Sequence, residues 1–123
     1  MGSRISLALV DDEPTFLFEF SQRLQARGFD VRSFRDAPSV LEELGKRVTC
    51  DAIVADVRMP GLSGLELQHR LVEQRKAIPL ILITGYGDVD LAVSAMKAGA
   101  YDFLGKPIDE DRLTRSIQTA VAD

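Results

Sequence analysis

The stretch Ile53-Val54-Ala55-Asp56-Val57-Arg58-Met59-Pro60-Gly61 decides the fold. It runs apolar up to a single carboxylate and then breaks, because Pro60 cannot continue a central strand and Gly61 permits a sharp turn. The reading is a buried strand with Asp56 at its C-terminal end. That edge of an open parallel sheet is where ligands and chemistry collect, so a lone Asp there is a candidate nucleophile or metal ligand. For the nonapeptide alone a capping or turn Asp is an equal reading. Residues elsewhere in the chain break the tie.

Upstream, the apolar run Ile5 to Val10 stops at Asp11-Asp12-Glu13-Pro14, a second buried strand followed by an acidic loop. Pro14 suits the first turn of a helix that carries Phe16, Leu17, Phe20 and Leu24 on one face and ends at Gly28. Phe18 falls on the opposite face, either an accidental exposure or a docking contact. Phe29 to Phe34 alternates with period two, as in a half-covered edge strand, and Ala37 to Gly45 is a short helix with Val40, Leu41 and Leu44.

Downstream, a helix is expected from about Ser63 to Gln74, with Leu67 and Leu71 one turn apart. Pro79 to Ile83 is the most apolar run, and it ends at Thr84-Gly85-Tyr86-Gly87, where a hydroxyl followed by glycine leaves room for an anion. Asp88 can cap the next helix, whose buried stripe reads Val89, Ala92, Val93 and Met96, with Leu91 off the stripe and Gly99 as the stop. Tyr101 to Leu104 is a brief fifth strand, and Gly105-Lys106-Pro107 puts a cation at its end. The last helix opens near Asp109 and buries Leu113, Ile117 and Val121. Five strands alternating with five helices make one α/β domain over residues 1–123 with a parallel sheet. Met1-Gly2-Ser3 reads as an expression remnant, and no output domain is expected within this length.

Composition excludes several classes of function. The 123 residues can bury a core without disulfides or structural metal, and 46% hydrophobic with 28% charged is ordinary for a globular chain. A formal charge of −4 argues against nucleic-acid binding by this domain alone. No apolar run approaches the ~20 residues that span a bilayer, and no signal peptide is visible, so no membrane is expected and the compartment reads as cytoplasmic. Cys50 is the lone cysteine and reads as a passive small residue; His69, the lone histidine, reads as solvated. Gly85-x-Gly87 lacks the third glycine of a dinucleotide fingerprint, and no P-loop occurs.

If the strands are all parallel, Asp11, Asp12, Asp56, Thr84 and Lys106 come from four strand ends along one edge. Three crowded carboxylates repel, and keeping them ionised requires a divalent cation; an all-oxygen, partly hydrated site suits Mg²⁺, with Mn²⁺ as a substitute. An Asp nucleophile, a hard cation, a lysine and a hydroxyl are what phosphoryl transfer needs. An aspartyl phosphate carries about −2, so loading it should depend on the metal.

Asp11-Asp12, Asp56 with Met59-Pro60-Gly61, Thr84-Gly85 and Lys106-Pro107, in this order and spacing, resemble the receiver (CheY-like) domain of two-component response regulators over the whole chain. Thr84 to Pro107 looks most like receivers of nitrogen-regulation (NtrC) or dicarboxylate-transport (DctD) activators, or of FixJ-type regulators. The resemblance implies a flavodoxin-like three-layer fold with strand order 2-1-3-4-5 and Asp56 as phosphoacceptor from a histidine kinase. It implies Mg²⁺ ligation by Asp12, Asp56 and the backbone carbonyl of Arg58, with Asp11 acting through water. It also implies Lys106 and Thr84 on the phosphoryl oxygens, a cis bond before Pro107, and Phe103 at the switch position, where Tyr is common and a Phe must be read out by packing alone. By the same resemblance the chain catalyses only its own phosphorylation and dephosphorylation and controls an output domain, expected to be transcriptional. Further expectations are a phosphorylation-dependent homodimer on the last two helices with Leu91 as a contact, kinase docking at Phe18, and slowed phosphoryl loss from Arg58 and Tyr86. Two rivals remain. An aspartyl-phosphate hydrolase would carry Asp-x-Asp after the first strand, where Asp11-Asp12 are adjacent here; a non-phosphorylated adaptor would not need these charges in register.

Overall fold

Strands and helices alternate strictly along the chain: β1 (Ser6–Val10), α1 (Pro14–Ala26), β2 (Asp30–Phe34), α2 (Ala37–Gly45), β3 (Ala52–Asp56), α3 (Gly64–Glu73), β4 (Leu80–Thr84), α4 (Val89–Lys97), β5 (Asp102–Gly105) and α5 (Glu110–Ala122). The structure, a computed structural model, describes residues 4–46, 49–59, 61–85 and 87–122. The readings of Met1-Gly2-Ser3, Pro60 and Tyr86 concern residues outside that set.

All neighbouring strands are parallel and the sheet order is β2-β1-β3-β4-β5. Because side chains alternate across a strand, each central strand feeds two cores. Ile53, Ala55 and Val57 pack with Val40, Leu67, Leu71 and Ala95 from α2, α3 and α4. Ala52 and Val54 pack with Leu17, Phe20, Leu113 and Ile117 from α1 and α5. Both central strands β3 and β4 are buried at every position, whereas the edge strand β2 is only partly covered. Among the described residues no helix is long and apolar enough to cross a membrane.

Local chemistry sets the helix starts. Asp36 caps α2, its carboxylate accepting the Ser39 N–H at 2.8 Å, and hydrogen bonds from the Ser39 side chain and backbone hold its pKa below the ordinary value. Asp36→Ala should cost about 1 kcal/mol at neutral pH. A carboxylate whose pKa is lowered by folding contributes stability above its unfolded pKa and loses it as pH falls through the folded value. The gap between variant and wild type in urea titrations should therefore close in acid; a gap that persists there would count against the cap.

Helix α4 is rotated from its expected stripe. Ala92 and Ala95 are fully buried, and Leu91 and Met96 pack partly buried against the core. Val89 and Val93 are instead 53% and 39% exposed. Leu91 is thus part of the packed face, and the two valines stand outside it. The small alanines mark the contacted face because they let the helix backbone approach the sheet, so side-chain size misled the pattern.

Candidate functional site

Register does the assembling. Val10 pairs with Ala55, so Asp11 follows at the level of Asp56; Asp56 pairs with Ile83, just before Thr84; Thr84 pairs with Gly105, just before Lys106. The order of the chain reverses between β1 and β3, the place where open sheets of this kind leave a crevice.

Asp56 is 9% exposed. Its Oδ2 accepts from Lys106 Nζ at 3.0 Å and its Oδ1 from the Arg58 N–H at 3.0 Å. Asp11 is buried, and its Oδ1 accepts from the Glu13 N–H at 2.9 Å. Burial raises the Asp11 pKa and the charges of Asp56 and Asp12 raise it further, outweighing the Glu13 hydrogen bond and Lys106. Burial alone would lower the Lys106 pKa, but the hydrogen bond to Asp56 and the charges of Asp56, Asp11 and Asp12 together hold it above its ordinary value. These couplings put all three acids and the lysine in one electrostatic basin. Asp12 is exposed at its mouth. Thr84, buried, donates its hydroxyl to the Leu104 carbonyl at 3.4 Å, and the Lys106–Pro107 peptide is cis. Phe103 is half-buried against the core beneath α4. The turn after Asp56 needs the positive φ of +85° at Gly61.

Three residues act differently from their sequence reading. Glu13 belongs to α1 rather than to the acidic site: its carboxylate accepts from the N–H groups of Thr15 at 3.1 Å and Phe16 at 2.7 Å. Asp88 stands at the N-cap position of α4 but makes no side-chain cap bond; Arg58 Nε and Nη2 both reach its Oδ1 at 2.9 Å. Two charge-assisted donors outcompete one backbone amide, and the ion pair ties the loop after β3 to the loop after β4. Phe16, read as core, also lies under the lysine, with Nζ 5.1 Å from its ring centroid. An aromatic four residues before Phe20, just after an acidic loop, was the available signal.

Fit to a divalent cation rests on the donor set. Asp11, Asp12 and Asp56 offer hard oxygens with one nearby ammonium, the balance that favours Mg²⁺ over softer ions. Among the described residues no three acidic, His or Cys side chains already enclose an ion. Within the protein the Asp56 oxygens accept from Lys106 and the Arg58 N–H, and Asp11 Oδ1 accepts from the Glu13 N–H. Cys50 offers no competing chemistry, since burial pushes its thiol to about 11, and His69 is exposed.

Comparison with known proteins extends this geometry to a family. The response regulator receiver domain matches residues 7–118. The transcriptional regulatory protein FixJ of Bradyrhizobium diazoefficiens is 43% identical over 98% of this chain and 58% of its own length. The C4-dicarboxylate transport transcriptional regulatory protein DctD of Pseudomonas aeruginosa is 41% identical over 97% of this chain and 26% of its own. The chain therefore spans about half the length, or less, of these curated relatives. Crystal structures of full-length FixJ from B. japonicum and of FixJ-N superpose with TM-scores of 0.91 and 0.90, at 40% and 36% identity, each over 98% of this chain and over 59% and 96% of theirs. With the family matched over residues 7–118 and the fold shared at TM-scores of 0.90 and 0.91, the chain belongs to the response regulator receiver domains of two-component systems.

Proposed function

We propose that this receiver takes a phosphoryl group from a histidine kinase onto Asp56 and passes the change to an output domain, in a cytoplasmic transcriptional regulator of which residues 1–123 are the single receiver unit. The observation that carries the reading is the Asp56 carboxylate, nearly buried, with an oxygen 3.0 Å from Lys106 Nζ. An Asp56 oxygen attacks phosphorus, the P–N bond of the phosphohistidine breaks, and the imidazole leaves with the electron pair. Lys106 shifts from the Asp56 oxygen to a phosphoryl oxygen, keeping its charge-assisted hydrogen bond. Asp12, Asp56 and the Arg58 carbonyl would hold Mg²⁺, or Mn²⁺ in its place, with Asp11 acting through water, and the bound ion would supply charge neutralisation.

Thr84 then exchanges the Leu104 carbonyl for a phosphoryl oxygen, and Phe103 follows into the space beside it. The face of α4, β5 and α5 changes with them. On that face the exposed Val89 and Val93, rather than Leu91, are the candidate contacts for an output domain or a phosphorylation-dependent homodimer. Phe18, 65% exposed on α1, is the candidate kinase contact. The Arg58–Asp88 pair beside Asp56 restricts attacking water and slows loss of the group.

Incubation with acetyl phosphate, with and without Mg²⁺, tests the reading by intact mass and hydroxylamine lability. The wild type should gain one hydroxylamine-labile phosphoryl group only with the metal, and Asp56→Asn should gain none. Label that survives in Asp56→Asn, or that forms equally well in EDTA, contradicts the assignment.

A further inference from the structure

Lys106 is held from two sides. On one side stand Asp56, Asp11 and Asp12, whose charges all act on it. On the other, its Nζ lies 5.1 Å from the centroid of the Phe16 ring, inside the ~6 Å range of a cation–π contact. The ring is itself anchored: it stacks on Phe20 with centroids 5.2 Å apart and planes at 14°, and Phe20 is buried in the core under α1. Glu13 fixes the backbone beneath it through the 2.7 Å bond from the Phe16 N–H.

We propose that Phe16 is a positioning residue for phosphoryl transfer, its ring face holding the Lys106 ammonium toward Asp56. The proposal rests on the phosphoacceptor reading of Asp56. Lysine has a long flexible stem, and the Lys106 side chain is 38% exposed, so water competes for its head group and rotamer freedom opposes a fixed pose. An acidic side chain in place of Phe16 would hold the lysine by taking one of its three N–H donors. The ring attracts the same charge without taking any. One donor meets Asp56, and the others stay available for the oxygens of an incoming phosphoryl group.

Phe16→Leu fills similar space without the ring quadrupole, Phe16→Tyr keeps it, and 3,5-difluoro- and 3,4,5-trifluorophenylalanine at position 16 weaken it in steps. With acetyl phosphate and Mg²⁺, the saturating labelling rate should fall about three- to tenfold in Phe16→Leu. It should return to the wild-type value in Phe16→Tyr and decline in order across the fluorinated series, with half-saturating acetyl phosphate unchanged. The Lys106 ε-proton NMR signals should show an upfield ring-current shift in the wild type and Phe16→Tyr that is lost in Phe16→Leu. Fluorinated proteins that label at the wild-type rate overturn the proposal, as does a labelled wild type whose Lys106 signals are unshifted. A wild type that takes no label on Asp56 overturns the phosphoacceptor reading itself, a result separable from the others because the ring shift is read without phosphorylation.

Discussion

Asp11→Asn is expected to unfold about 3–6 °C above the wild type in EDTA at neutral pH, yet to lose most of its Mg²⁺-dependent labelling, on the order of 100-fold. The stability gain follows from where Asp11 lies. It is buried at the strand end, and burial together with the neighbouring charges of Asp56 and Asp12 disfavours its ionised form. An uncompensated buried charge costs on the order of 1 kcal/mol or more even with a lysine nearby. Asparagine is close in shape and keeps the acceptor for the Glu13 N–H, so the local turn survives. Adding Mg²⁺ should raise the melting temperature of the wild type by mass action and that of Asp11→Asn far less, reversing their order. A variant less stable than the wild type in EDTA, or equally responsive to Mg²⁺, would remove Asp11 from the metal site.

If Asp56 takes the phosphoryl group as proposed, the same repulsion lets a single group switch the site. The site holds three acids against Lys106, which donates to Asp56, while Thr84 donates to the Leu104 carbonyl and Arg58 to Asp88 beside them. Lys106 and Thr84 could then exchange their partners for phosphoryl oxygens without unpacking the sheet, because the strands beneath are buried throughout and fixed by their ladders. A stiff sheet with replaceable contacts at its edge would confine the change to the loops and to the face of α4, β5 and α5.

The apolar strand runs and their polar stops made the fold legible, because a parallel sheet buried on both faces leaves that pattern on every central strand. The site was legible for the same reason: each of its residues ends a strand or follows directly after one, so one assumption, parallel strands, brought Asp11, Asp56, Thr84 and Lys106 to one edge. What stayed hidden depended on rotation and choice of partner. Leu91 and Val89 exchanged places because two alanines, Ala92 and Ala95, define the buried face of α4. Asp88 has the position and chemistry of a cap, but a guanidinium thirty residues away in sequence claims it. Phe16 fits the core pattern equally well whether or not a cation sits on its ring. Pairings across loops leave no period in a sequence.

Gly64 shows the same limit in the core, and Gly64→Ala should lose about 2 kcal/mol despite the better helix propensity of alanine. Its backbone N–H donates to the Val57 carbonyl at 2.8 Å, bringing the start of α3 against the residue that follows Asp56. A Cβ there would lie 2.6 Å from Leu82 Cδ2 and 3.1 Å from Val57 Cα. Leu82 is fully buried and cannot swing into solvent, and Val57 Cα is backbone. The capping box of Ser63 and Glu66 holds the helix start in place, so the helix cannot back away without breaking it. The strain should fall on the loop after Asp56, lowering the urea midpoint and slowing acetyl phosphate labelling together. Leu82→Val removes the clashing methyl and alone should cost about 1 kcal/mol. If the clash is the cause, Gly64→Ala with Leu82→Val should lose at least ~1 kcal/mol less than the sum of the single losses. Strict additivity would mean that α3 meets the sheet elsewhere and that Gly64 serves only the turn.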